Sequence, residues 1–269
     1  MQEKICRLGL VGKDVSKSTS GKIHTFILSH WGVDCEYESL SISRAEFDGV
    51  MRKFLGDFDG FNVTIPYKRD VMEYIDETVG DALACGAVNT VVSATRKGYN
   101  TDGMGFMLML SSAGIEVKDK KVLVLGAGGA GRSCVVVLKN AGAKVWAYRR
   151  NKAELDELCE QLGVNAATDP EAGGFDILIN CTGVGMHDTE GKSPVSKKAF
   201  LGASVAVDLI YVPEFPEFLR IAKEQGLKIC NGASMLFYQA YYADCLFLGR
   251  EPSESEAQTL YKEYLIKGE

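Results

Sequence analysis

Gly126-Ala-Gly128-Gly-Ala-Gly131 carries the glycine spacing that a nucleotide pyrophosphate needs. The first glycine turns the chain tightly, the second lets backbone N–H groups reach phosphate oxygens, and the third lets a helix pack close to a strand. In a chain with 29 glycines a bare G-x-G-x-x-G is a weak signal. This one follows Val122-Leu-Val-Leu125 and precedes Ser133-Cys-Val-Val-Val-Leu138, so a strand leads in and a helix leads out. The free N–H groups and partial positive charge at that helix start suit a phosphate. The pattern predicts a dinucleotide site with Gly126, Ala127, Gly128, Gly129 and Ala130 around the pyrophosphate.

About twenty residues beyond such glycines, an acidic side chain would hold the ribose 2′-hydroxyl of NAD. Here the next strand ends Ala147-Tyr148-Arg149-Arg150-Asn151, with no acid before Glu154. The forked guanidiniums of Arg149 and Arg150 match the oxygens of a 2′-phosphate, so NADP is expected over NAD. Without the glycine motif the same arginines would read as solvated strand-end residues. Asn151 fits a helix N-cap, with Glu154 completing a capping box, and needs no ligand role.

A second set of polar residues clusters where strands should end: Ser18 and Ser20, Asn62-Val-Thr64-Ile-Pro-Tyr-Lys68, Asn89, and Asn100-Thr101-Asp102. Ligands of α/β proteins bind at such places. Three of these residues also fit helix caps: Ser20 for a helix over 22–31, Thr64 for one starting near Pro66, and Asp102 for one starting near Gly103. Lys68 has no such bland reading, because a cation in the first turn of a helix opposes the macrodipole. A lysine there that faces Asp102 would form a pair able to trade a proton with a substrate oxygen.

These residues need a frame. At 269 residues, two domains are the natural expectation. A net charge of −6 argues against nucleic acid and against an anionic membrane surface. Eight cysteines without a C-x-x-C pair, and an N-terminus charged too early for a secretory segment, read as reduced thiols in a cytoplasmic protein. Three histidines at no ligand spacing predict no catalytic metal. The sequence leaves monomer and homodimer both open.

Residues 5–11 read as a strand, 23–31 as a helix, 60–65 as a strand, 66–75 as a helix, and 86–92 as a strand. Strands at 121–125, 144–148, 176–180 and 204–209 then alternate with helices, and long helices fill the stretch after Gly232 and 253–266. His24 and His187 read as ordinary polar residues, and Met104, Met107 and Met109 as core.

The order of several blocks resembles the shikimate dehydrogenase family along nearly the whole chain. These are Ser18-Thr-Ser20 with Ile23-His24, Asn62-Val-Thr-Ile-Pro-Tyr-Lys68, Gly86-Ala-Val-Asn-Thr90 and Asn100-Thr-Asp-Gly103. They continue with Gly126-Ala-Gly-Gly-Ala130, Asn180-Cys-Thr-Gly-Val-Gly-Met186, Asp208-Leu-Ile-Tyr211 with Pro213, and Gly232-Ala-Ser-Met-Leu-Phe-Tyr-Gln239. The resemblance implies an α/β protein: an N-terminal mixed or parallel substrate domain, a Rossmann-type doubly wound NADP domain, and an active site in the cleft between them. The substrate domain would span 1–103, completed by C-terminal helices over 233–269, and the dinucleotide domain 104–232.

The resemblance further implies NADPH-dependent, reversible reduction of 3-dehydroshikimate to shikimate, in aromatic amino acid biosynthesis. Lys68 and Asp102 would be the catalytic pair, Ser18 and Ser20 the carboxylate ligands, and Thr64, Asn89 and Gln239 the ligands of the ring hydroxyls. Tyr211 resembles the tyrosine that closes over substrate, though on its own it reads equally as a core-edge tyrosine. Thr182, Leu209 and Gly232 would join the glycine turn and the arginines around the cofactor.

The chain departs from the family in places. Its first loop lacks two usual prolines, Gly80 stands where an acid is frequent, and Tyr148 replaces a common asparagine before Arg149. A quinate/shikimate dehydrogenase using NAD is the nearest rival, disfavoured by the intact Ser20 and the missing acid at the strand end. A non-catalytic NADP-binding protein would need neither Lys68 nor Asp102. A folate-type dehydrogenase would leave Ser18, Ser20, Asn89 and Gln239 unexplained.

Overall fold

The computed structural model describes residues 5–267. The chain divides into two compact units, one made of the stretch up to Gly105 together with that from Leu236 onward, the other of Phe106–Met235.

The first unit opens with β1 (Cys6–Gly12), α1 (Ser20–His30), β2 (Cys35–Ser41), α2 (Phe47–Asp57) and β3 (Gly60–Val63). Next come β4 (Glu77–Thr78), α3 (Asp81–Cys85), β5 (Thr90–Val92), β6 (Lys97–Tyr99) and the start of α4 (Asp102–Ser112). The strands order β2-β1-β3-β5-β6-β4 in one sheet. β1 runs parallel to β2 and β3, while β5 is antiparallel to β3 and β6, so the sheet is mixed. All four residues of β3 are buried, as expected of a strand covered on both faces. α2 turns Phe47, Met51 and Phe54 inward at helical spacing, and they join Phe61, Val63, Tyr67 and Val91 in one core.

The chain after β3 corrects two expectations. Residues 66–75 do not form an α-helix; a run of turns leads to a 3-10 segment over Asp70–Tyr74. The Lys68 carbonyl accepts from Val88 N at 2.8 Å, whereas an α-helix would need it for Met72 N. Met72 N instead donates to Arg69 O at 3.1 Å. The buried Tyr67 ring, with its hydroxyl donating to Ile42 O at 2.8 Å, fixes this turn from beneath. Hence no helix field acts on Lys68, and the macrodipole argument for it fails. The strand expected over 86–92 is only Thr90–Val92, because Gly86 at φ +61° ends the five-residue helix α3 first.

In the second unit β7 (Lys121–Leu125), α5 (Gly129–Asn140), β8 (Lys144–Tyr148), α6 (Lys152–Leu162) and β9 (Asn165–Ala166) are followed by β10 (Ile177–Asn180), β11 (Val205–Asp208), α7 (Glu217–Glu224) and β12 (Lys228–Asn231). The sheet order is β12-β11-β10-β7-β8-β9, with every pairing parallel. Strand order reverses between β7 and β10, which makes their carboxyl ends the topological switch point of a doubly wound sheet. The chain closes with α8 (Ala233–Leu248) and α9 (Glu254–Lys267). Tyr241 on α8 donates to Glu256 Oε2 of α9 at 2.6 Å, and Phe237 packs on the rings of Tyr261 and Tyr264.

Met104 is 38% exposed and is not core, unlike Met109 at 1%. None of the eight cysteines is in a disulfide. Among the described residues no helix is long and apolar enough to cross a membrane, and no cluster of His, Cys, Asp and Glu could hold a metal.

Candidate active site

Lys68 lies on the turn after β3, Asn89 just before β5, and Asp102 at the first position of α4. The fold of the first unit brings all three together. Lys68 Nζ hydrogen-bonds Asp102 Oδ2, and both side chains are nearly buried, at 12% and 10% exposure. The other carboxylate oxygen, Oδ1, accepts from Asn89 Nδ2 at 2.8 Å. Asp102 also gains from its place in the first turn of α4, where a carboxylate complements the helix end. It is not a side-chain cap; Asn100 Oδ1 accepts from Asp102 N at 3.1 Å.

Asn89 cannot swing freely. Its Oδ1 accepts from Thr101 N and from Thr90 Oγ1, each at 2.8 Å. Its Nδ2 reaches Thr101 Oγ1 at 3.0 Å and Gln239 Oε1 at 3.5 Å, which brings α8 into the cluster. Gln239 Nε2 donates to Leu236 O at 2.9 Å.

Ser18 and Ser20 lie side by side, Ser18 Oγ donating to Ser20 Oγ at 3.0 Å. α1 starts at Ser20 itself, and Ser18 Oγ accepts from Ser20 N at 3.2 Å, so the Ser20 hydroxyl does not cap that helix. Thr64 turns its methyl group toward Gly12, where a Cβ would sit 2.4 Å away. The Thr64 carbonyl, not its hydroxyl, takes Tyr67 N.

Three residues absent from the sequence-based site belong to this cluster. Asn62 is buried and donates to Asn89 O at 3.2 Å and Thr90 Oγ1 at 3.1 Å. Tyr37 donates to Asn62 Oδ1 at 3.3 Å. His24, read above as an ordinary polar residue, is wholly buried and bonded to Asp244. Asn62 stood in the N-V-T-I-P-Y-K block and His24 in the block with Ser18 and Ser20, though neither was given a role; nothing local marked Tyr37.

Space is open around Gly80, but at φ +60° and ψ −133° it holds a backbone shape that an L side chain such as the acid often found there resists.

In the second unit the glycine turn, Arg149, Arg150 and Thr182 line one cavity of ≈ 930 Å³ at the switch point. A Cβ on Gly131 would lie 2.2 Å from Gly126 O, so only glycine lets α5 start this close to β7. Nothing stands within 4 Å of a Cβ built on Gly128, so its backbone is open to a phosphate. Gly129 and Ala130 form the first turn of α5. Leu209 and Gly232 do not line this cavity; they touch each other, a Gly232 Cβ lying 2.1 Å from Leu209 O. Tyr211 follows β11 in the same unit, 38% exposed, its phenol pushed above the usual range by partial burial.

Arg149 is ion-paired with Glu154, and Asn151 caps α6 by accepting from Glu154 N at 3.3 Å. Arg150 has no ion pair among the described residues.

Asp208, at the end of β11, is fully buried. It takes Ile210 N at 2.9 Å and Asn180 Nδ2 at 3.0 Å, leaving Asn180 Oδ1 to accept from Thr182 N at 2.9 Å. Burial pushes the Asp208 carboxyl up to about 7, against these hydrogen bonds, which pull it down. The folded protein therefore holds a proton that the unfolded chain releases at ordinary carboxylate pH. That contribution is fully present below the ordinary carboxylate range and is lost progressively as pH rises from about 4 to about 7. Its ceiling is about 4 kcal/mol, at ~1.4 kcal/mol per pH unit. We expect the thermal midpoint to fall from about pH 4 to about pH 7 and to level off above, and Asp208→Asn to flatten that fall; an equal slope in the variant would remove Asp208 as its source.

Residues 10–91 match the family model described as the substrate binding domain of shikimate dehydrogenase. Residues 91–208 match that of the C-terminal domain of alanine dehydrogenase/PNT. The chain is 36% identical over 251 residues to the NADP(+) shikimate dehydrogenase of Thermus thermophilus, covering 93% of this chain and 95% of that protein. It is 39% identical over 257 residues to the enzyme of the same name from Caldicellulosiruptor bescii, covering 90% and 88%. A crystal structure of shikimate 5-dehydrogenase from Thermus thermophilus in complex with NADP(H) and shikimate superposes with a TM-score of 0.88. That match has 34% identity and covers 96% of this chain and 99% of the other.

Proposed function

This chain belongs to the shikimate dehydrogenase family, and on that premise we propose that it catalyses the reversible reduction of 3-dehydroshikimate to shikimate with NADPH. The observation that carries the reading is the nearly buried Lys68–Asp102 pair with Asn89 bound to its free oxygen. A protein that only bound the cofactor would have no use for a proton-transfer pair set in this way.

The cofactor fits the second unit. An open backbone at Gly128, a helix start behind it and two arginines on the cavity wall suit a pyrophosphate and a 2′-phosphate. Bound there, NADPH would supply a hydride for the substrate's carbonyl carbon. The remaining work belongs to side chains of the first unit. As the carbonyl becomes an alcohol its oxygen must gain a proton. Lys68 has three N–H donors, and Asp102 takes one of them, so donors remain for that oxygen. Asn89 and Gln239 would bind ring hydroxyls, and Ser18 and Ser20 the carboxylate. A substrate lacking one hydroxyl would leave these buried groups unpaired and be rejected. Reduced thiols suit a cytoplasmic setting.

Initial rates of NADPH formation with shikimate or quinate, each with NADP or NAD, test the reading. Shikimate with NADP should be the preferred pair by at least about tenfold. Equal rates with quinate and NAD would move the chain to the broader quinate/shikimate group. Because Glu154 already engages Arg149, the cofactor's phosphate depends on Arg150 as well. Replacing Arg149 and Arg150 together by alanine should raise KM for NADP at least about tenfold and leave that for NAD nearly unchanged. An equal rise for both cofactors would show that the arginines do not read the 2′-phosphate.

A further inference from the structure

The hydroxyl of Tyr37 stands at the head of a series of hydrogen bonds that runs to Asp102. Ser18 Oγ donates to Ser20 Oγ at 3.0 Å, and the Ser20 side chain acts on the neighbouring Tyr37 phenol, favouring its ionised form against burial. Tyr37 donates to Asn62 Oδ1 at 3.3 Å, and Asn62 Nδ2 donates to Thr90 Oγ1 at 3.1 Å. Thr90 Oγ1 donates to Asn89 Oδ1 at 2.8 Å, and Asn89 Nδ2 donates to Asp102 Oδ1 at 2.8 Å. From Tyr37 to Asp102 the donors all point one way, so each bond polarises the next. The amide orientation of both Asn62 and Asn89 is fixed by it.

The tyrosine ring has a built seat. It stacks on His24 with centroids 4.8 Å apart and planes 17° from parallel. A Cβ on Gly21 would come within 3.2 Å of it, so α1 packs against the ring by its bare backbone. His24 Nδ1 lies 2.6 Å from Asp244 Oδ1, both side chains at zero exposure. Burying such a pair contributes little to stability on balance, and here His24 Nε2 and Asp244 Oδ2 are left without partners among the described residues. What the pair does is hold the imidazole flat beneath Tyr37. Burial also keeps the phenol protonated, well above its usual range.

We propose that Tyr37 is a positioning residue that couples the carboxylate-binding serines to the catalytic aspartate. The inference rests on the reading of Ser18 and Ser20 as ligands of the substrate carboxylate. A bound carboxylate takes the hydrogens of both serines and leaves Ser20 Oγ as an acceptor, with the Tyr37 hydroxyl as the donor beside it. The single hydrogen of Tyr37 thus serves Ser20 or Asn62, and occupancy at the serines is felt at Asn89 and Asp102.

The test is a double-mutant cycle with Tyr37→Phe, which keeps the ring on its seat, and Ser20→Ala, read by steady-state kinetics with shikimate and NADP. Tyr37→Phe should raise KM for shikimate and lower kcat, for a combined loss of about tenfold in kcat/KM, with KM for NADP unchanged. The double variant should be no worse than Ser20→Ala alone by more than about twofold, because the two hydroxyls act as one unit. A Tyr37→Phe enzyme within twofold of the parent overturns the proposal. So does a double variant whose loss is the product of the single losses, since a merely structural tyrosine would behave that way. If the unaltered protein fails to turn over shikimate at all, the functional reading itself falls and takes this role with it.

Discussion

Lys68→Ala should lower kcat about 10³-fold, the range expected for removing a general acid, while NADP binding stays unchanged. Lys68 Nζ is the donor at Asp102 Oδ2, and its backbone is held by Val88 N and by the buried Tyr67 beside it. No neighbouring cation in the cluster can take its place among the hydrogen bonds formed there. Truncation also strips a nearly buried carboxylate of its partner, which costs stability, so the thermal midpoint should drop too. Lys68→Met keeps most of the stem and separates the effects: its kcat should be as low as that of the alanine variant. Near-normal turnover in either variant would exclude Lys68 from proton transfer. NADP titrations, read by protein fluorescence, check that the cofactor still binds.

Asp102→Asn should cost about 10² or more in kcat/KM for shikimate. The carboxylate accepts twice, from Lys68 at Oδ2 and from Asn89 at Oδ1. An asparagine has one acceptor and one N–H₂ group, so it must point donors at either the lysine or the amide. Both the proton-transfer partner and the ligand that Asn89 offers to substrate are therefore disturbed, and kcat and KM should change together. Combined with Lys68→Ala the losses should not multiply, because residues acting as one unit are not additive. Steady-state kinetics of the two single variants and the double variant decide this; multiplied losses would mean that the two side chains act separately.

The dinucleotide unit was the most legible part of the sequence. β7 and β8 span 121–125 and 144–148 as expected, because short Val-rich runs ending in glycine or arginine have few other solutions. The first unit was harder. β2 is an edge strand of partly buried and exposed residues, among them Glu36 and Glu38, so no apolar run announced it. The turn after β3 read as a helix because its residues tolerate one; the competing bond from Val88 N to Lys68 O lies twenty residues away in sequence and is set by the sheet. Met104 fits a helical apolar pattern but falls on an exposed face of α4.

The chemistry was legible as residue types and not as geometry. Lys68, Asp102, Asn89 and Gln239 were named from their motifs, and the structure brings them within one hydrogen-bonded cluster. Tyr37 carried no local signal, and His24 stood in a family block but read as an ordinary polar residue. His24 meets Asp244 across 220 residues of chain, and Tyr37 meets Asn62 across 25, so their partners exist only once the sheet and α8 have formed. Family motifs placed Leu209 and Gly232 at the cofactor; in the fold the two lie in close contact with each other.

The most direct test of the central claim is the fate of a deuterium label. 3-Dehydroshikimate would be reduced with NADPH deuterated at the transferable position, and the product examined by mass spectrometry and NMR. The account predicts shikimate carrying one deuterium on the carbon that bore the carbonyl, formed by the unaltered protein and about 10³-fold more slowly by Lys68→Ala. Unlabelled shikimate, or no shikimate despite saturating NADPH, would contradict it.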